Sequence, residues 1–213
     1  MNTVMQFLET TFSPLVLIFT VSNLAAMGLQ VRMPEVIVAL RNKKSIALIF
    51  AWGWVLGPAV GYLITKVLPL EEPYVVVVFL ASLAPVAPFL QQMVAKARGD
   101  MGFAGALVPL VMVGTVVLMP LIAPMLIPGV SVSSYALAKQ LVLTVLLPLV
   151  VGVGIKVYAS KLADTIFPYF KKLAGLTTLA LLIFTLVMYG KELLNALGSY
   201  AVAAQVLFVL VIA

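Results

Sequence analysis

LASLAPVAPFLQQMVAKARGDMGFAG, residues 80–105, decides how the rest of the chain is read. It follows the apolar run Tyr74-Val75-Val76-Val77-Val78-Phe79 and so begins as a membrane helix should. Pro85 and Pro88 then fall at what should be mid-membrane depth. Each removes a backbone donor and crowds the preceding turn. The adjacent amides Gln91 and Gln92 follow, and Lys96, Arg98, Gly99 and Asp100 close the segment. In hydrocarbon every freed backbone group needs a partner, so a broken helix survives only inside protein or beside a water-filled cavity. Discontinuous helices of this kind recur at the binding sites of secondary transporters. A proline-kinked packing helix, with both glutamines bonded to neighbouring helices, is the plainer reading of the same residues. The spacing predicts a break in the hydrogen-bond ladder between about Ala84 and Phe89.

Composition carries the reading outward. Hydrophobic residues make up 64% of the chain and charged residues 9%, against about 25% charged in soluble domains. Seven apolar stretches approach or exceed the ~20 residues that cross a bilayer as a helix. The fold class is therefore an all-α polytopic membrane protein. The net charge of +6 sits in short loops, where it reports topology rather than a nucleic-acid face. Cysteine and histidine are absent, which removes disulfides, thiol chemistry and the usual zinc ligands. No catalytic or metal-ligating set and no cofactor is expected.

The spans are expected at about 13–30, 45–67, 73–97, 101–126, 135–158, 173–189 and from Tyr200 onward. Ser22 and Asn23 stand inside the first. An Asn there is costly unless it bonds another helix or lines a cavity. Gly57 and Gly61 in the second give a GxxxG spacing that favours close helix packing. Thr115 is the one hydroxyl of the fourth span, and a lone Thr usually bonds its own helix. Thr177 and Thr178 lie in the sixth. The hydrophilic stretch 159–172 reads as a linker. It separates a first half, 1–158, of five spans with the broken helix at 73–97, from a second half begun at 159–213. The last apolar run, Val206 to Ala213, reads as a span cut short.

Loop charges give an orientation. With the N-terminus outside, the inner loops collect Arg32, Arg41, Lys43, Lys44, Lys96, Arg98, Lys156, Lys161, Lys171 and Lys172, and the outer ones only Lys66, Lys139 and Lys191. Ten against three is a strong positive-inside bias. It predicts inner loops at 31–44, 97–100 and 159–172, and a plasma membrane of the bacterial inner-membrane kind.

The chain resembles the bile acid:sodium symporter superfamily. The likeness is carried by Ala26-Met27-Gly28-Leu29, the basic loop Arg41 to Lys44, Pro58, Pro85, the Gly99-Asp100 turn, Pro120 and Leu146-Leu147-Pro148-Leu149-Val150-Val151-Gly152. The resemblance implies an inverted-repeat transporter fold with a discontinuous crossover helix, incomplete at the C-terminus, where two further spans are expected. It implies transport of a small organic anion, with sodium or protons as the coupling ion. Positions where family members place sodium ligands are Gly53, Leu90, Gln91, Ala104 and Val108 here, and only Gln91 offers a side-chain oxygen. The sodium sites in their usual form are therefore expected to be missing. Residues expected to line the substrate or ion path are Ser22, Asn23, Pro85, Pro88, Gln91, Gln92 and Thr115. A non-transporting sensor or structural module of the same fold is the alternative. A membrane enzyme is disfavoured, since no nucleophile, base or metal cage falls within the spans.

Overall fold

The computed structural model describes residues 3–83, 94, 97–99, 101–126, 133–197 and 200–212. Every regular element among them is helical, as lipid requires of a single-chain span that must satisfy its own backbone. In chain order they are α1 (Thr3–Gly28), α2 (Met33–Arg41), α3 (Lys43–Phe50), a π-helical segment π1 (Ala51–Leu56), α4 (Gly57–Val67), α5 (Glu72–Ser82) and α6 (Met101–Leu126). Then come α7 (Ser134–Leu141), a second π-helical segment π2 (Val142–Leu146), α8 (Leu147–Tyr158), α9 (Ser160–Leu197) and α10 (Tyr200–Ile212). Among the described residues four stretches are long and apolar enough to cross a membrane: Leu8–Gln30, Ile46–Val67, Ser134–Tyr158 and Ser160–Ala196. Three shorter apolar helices, Glu72–Ser82, Leu107–Ile122 and Tyr200–Val211, fall on the remaining expected spans.

Two expected loops are helices instead. Residues 31–44 hold α2, whose Pro34 sits in the first turn where no backbone donor is needed. Residues 159–172 are not a linker loop. After a break at Ala159 alone, α9 runs from Ser160 to Leu197, 38 residues, with Pro168 inside it and a departure from helical geometry at Tyr189. Their charge made them resemble loops, yet the charged positions recur at helical spacing and leave one stripe, Ala163 and Ala174, free to pack.

The helices fall into two groups. In the first, α1 lies between α8 and α9. Glycines let α1 and α8 touch backbone to backbone: a methyl group added at Gly152 would lie 2.6 Å from the Ala25 carbonyl oxygen and 3.0 Å from Gly28 Cα. In the second, α4, α5 and α10 meet over Ile64, Val78 and Ala204, with Val60, Leu68, Leu70 and Phe208 around them. Gly61 faces Ser82, and a methyl at Gly61 would sit 2.7 Å from Ser82 Oγ. The GxxxG spacing is thus a packing surface for the end of α5. Helix α6 joins the groups: Val108 and Met112 pack with Leu24, Met27 and Leu149, while Met119 and Ile122 pack on Phe79 and Leu83.

Both π-helical segments precede a proline. Gly57 N–H reaches back to Trp52 O and Leu147 N–H to Val142 O, with Pro58 and Pro148 next in line. A proline has no N–H to donate and its ring pushes on the preceding turn, so one widened turn is the local answer. Among the described part of the polar turn after the third span, Arg98 adopts φ 54°, and Gly99 N–H bonds Val94 O at 2.9 Å. The left-handed residue is therefore Arg98, with the glycine one position later.

Candidate functional site

Four polar residues are buried among the described ones: Ser22, Asn23, Ser82 and Thr177. Ser22 and Thr177 meet where α1 crosses α9, and Asn23 follows Ser22 in α1. Ser22 Oγ lies 3.4 Å from Thr177 Oγ1. Each hydroxyl also bonds its own helix, Ser22 to Phe19 O at 3.2 Å and Thr177 to Leu173 O at 2.9 Å. Asn23 donates from Nδ2 to the same Phe19 carbonyl at 2.9 Å, which leaves its Oδ1 available as an acceptor. Each hydroxyl has a single proton, so the Ser22–Thr177 contact ties α1 to α9 only when one of the two turns away from its own backbone acceptor. Asn23, the next residue of α1, is held by a bond inside its own helix.

Thr115 is half-buried and donates to Val111 O at 3.0 Å, within its own helix. It is not hydrogen-bonded to the Ser22 cluster. Pro85, Pro88, Gln91 and Gln92, and with them the expected break at 84–89, lie outside the described residues.

Two residues matter that the sequence reading left aside. Thr177 is one, visible beforehand only as a threonine pair inside a span. Trp54 is the other. It lies in π1, 8% exposed, with its ring stacked near Phe50 at 5.4 Å between centroids. The ring fills the place of the missing side chain at Gly114, where a methyl would sit 2.5 Å from Cζ2. Trp54 Nε1 is buried with no hydrogen-bond partner among the described residues. An orphaned buried donor costs about 1–3 kcal/mol. The available signal was position: tryptophan usually gathers at membrane interfaces, and Trp52 and Trp54 stand in mid-span.

A helical bundle with a buried polar cluster inside its first span, two proline-associated π turns and close glycine crossings is a membrane architecture. Residues 14–196 match the Sodium Bile acid symporter family. The chain belongs to that family. The match begins at Pro14 in α1 and ends one residue short of the end of α9, so it takes in the Ser22–Thr177 cluster, Trp54 and Thr115. As a Sodium Bile acid symporter family member the protein is an integral membrane protein of a transporter family. No curated protein is similar enough to count as a match.

Of the motifs that carried the resemblance, two turn out to face each other. Ala26-Met27-Gly28-Leu29 and the run ending at Gly152 form the α1–α8 crossing. Their residue types are set by how near the two backbones come. Val108, at a position where family members place an oxygen ligand, is fully buried in the Leu24, Met27, Met112 and Leu149 cluster.

Proposed function

We propose that the protein is a secondary transporter of a small organic anion, working by alternating access between a first half, residues 1–158, and a second half that begins with residues 159–213. The observation that carries this reading is the burial of three polar residues, Ser22, Asn23 and Thr177, inside spans of a family member. Polar groups inside spans are costly and mark substrate or ion paths by default. The N-terminal ends of broken helices direct partial positive charge at anionic groups, which favours a carboxylate cargo if the chain breaks at Pro85 and Pro88. Asn23, Gln91, Gln92 and Thr115 line the path in this reading.

Coupling does not run through paired sodium sites of the usual form. Sodium needs a cage of oxygens to offset its dehydration, and Gly53 and Val108 supply no side-chain oxygen. Burial of Val108 in an apolar cluster supports this. Sodium-dependent stabilisation of the purified protein, absent in potassium and abolished by Gln91→Leu, would overturn it. Uptake of organic acids into liposomes holding the protein, under sodium, potassium and proton gradients in turn, tests the reading as a whole. Absence of uptake of any anion under every gradient sinks it. The N-terminus lies outside the cell and residues 31–44 inside. Labelling of Lys43→Cys by an impermeant reagent in intact cells would contradict that orientation.

A further inference from the structure

Helix α9 is longer than a membrane is thick. Up to the kink at Tyr189 it runs from residue 160 to 188, which at 1.5 Å per residue is ~44 Å, against a hydrocarbon core of ~30 Å. Charge shows where the core lies along it. Residues 173–190 carry none, Lys172 stands at one end, and Lys191 and Glu192 stand at the other. Contacts with α1 agree. Phe12 meets Tyr189 with ring centroids 6.1 Å apart and Ser22 meets Thr177, so the helices run antiparallel and the start of α9 lies at the Gly28 end of α1. Residues 160–172 therefore continue past the hydrocarbon edge as helix.

That extension has three stripes, each at helical spacing. Ala163, Phe167, Phe170 and Ala174 form the stripe turned toward the protein, with both alanines buried. Beside it run Leu162, Ile166, Tyr169 and Leu173. This stripe is apolar but largely uncovered, Leu162 at 51% and Tyr169 at 73% exposed, and Tyr158 just before the helix is 92% exposed. The third stripe, Lys161, Thr165, Pro168 and Lys172, is exposed along its whole length. The one carboxylate of the extension, Asp164, is taken by Lys156 of α8 at 2.6 Å. Among the described residues Lys161 and Lys172 pair with no carboxylate. Lys171 lies over the Phe167 ring, 5.9 Å from its centroid.

An uncovered apolar stripe beside a basic one, both on a helix leaving the core, suits a segment that passes out through the headgroup layer. Apolar side chains and tyrosines meet the acyl boundary, and lysines reach to the phosphates. We propose that residues 160–172 of α9 are a docking surface for anionic phospholipid headgroups, with Lys161 and Lys172 as the headgroup contacts. Excess positive charge selects anionic lipid over zwitterionic. The binding is independent of which anion the protein transports and of the orientation of its N-terminus.

The test extracts the protein from mixed phosphatidylglycerol and phosphatidylcholine bilayers and counts retained lipids by native mass spectrometry. Wild type should retain phosphatidylglycerol preferentially. Lys161→Gln/Lys172→Gln should lose that preference by on the order of thirtyfold, from roughly fivefold for each lysine at the surface. Lys161→Arg/Lys172→Arg should keep it. Salt of about 0.5 M should weaken it in wild type, which tests the charge term even if the glutamine variant does not fold. Equal retention of both lipids by wild type overturns the proposal, as does undiminished preference in a folded glutamine variant. Displacement of the lipid by glycerol phosphate, which carries the charge without acyl chains, would make this a soluble-anion site and also overturn it.

Discussion

Helices α1 and α9 are both apolar enough to span a bilayer, and they pack against each other, yet their surroundings differ sharply. In the most apolar stretch of α1, 44% of residues are buried, against 11% in α9. Both carry polar residues inside the span, and the buried pair Ser22 and Thr177 lies where the two helices meet. The rest of α9 turns Leu176, Leu179, Leu182, Ile183 and Leu186 outward. In water such a face would be a liability, but in lipid it is the ordinary exterior, since hydrocarbon is no worse a neighbour than another leucine. Apolarity therefore says that a helix is in the membrane. Small residues and polar atoms say which side of it touches protein.

The largest blow to this contrast should come at the α1–α8 crossing. Gly152→Val adds atoms where Ala25 O and Gly28 Cα already stand at contact. Backbone displacement should cost about 3 kcal/mol or more, read as a lowered melting temperature in detergent. A melt within a degree of wild type would show that the crossing is loose. Next comes Asn23→Leu, which removes the acceptor inside α1 but none of its packing partners. Uptake should fall at least tenfold while stability changes by less than about 1 kcal/mol, because the bond lost lies within its own helix. Stability loss with uptake intact would make Asn23 structural. Smaller still is the coupling between Ser22 and Thr177. A double-mutant cycle of Ser22→Ala and Thr177→Val should give about 0.6 kcal/mol, the usual size of an interhelical bond in a membrane. Zero coupling would mean each hydroxyl serves only its own backbone. The least effect is expected at Leu182→Ala on the outer side of α9, within about 0.5 kcal/mol. A large loss there would reveal a protein neighbour where lipid is inferred.

Much of the architecture could be read in the chain because lipid leaves few choices. Apolar runs near twenty residues become helices, and Gly57 and Gly61 announced a close approach before its partner Ser82 was known. What stayed hidden depends on distance along the chain or on backbone detail. Ser22 and Thr177 are 155 residues apart, and nothing local links them. Pro58 and Pro148 were visible, but a proline in a span can kink, break or widen the helix, and the π turn is settled by surrounding packing. The start of α9 was misread for a different reason. Lysines and an aspartate lowered its hydropathy to that of a loop, while the helical spacing of Lys161, Thr165, Pro168 and Lys172 was legible throughout. Periodicity outranks composition at a membrane edge.

Trp54 gives the molecule an optical readout. The chain has two tryptophans. Trp52 is 49% exposed and Trp54 is 8% exposed. With Trp52→Phe, every photon emitted on tryptophan excitation comes from one ring wedged against Gly114. That ring has an indole N–H without a partner among the described residues. Indole emission moves to longer wavelength when a polar group relaxes around its excited state, so a blue starting spectrum marks a dry seam. Any water, ion or cargo that enters between π1 and α6 would redden it, in real time and without a label.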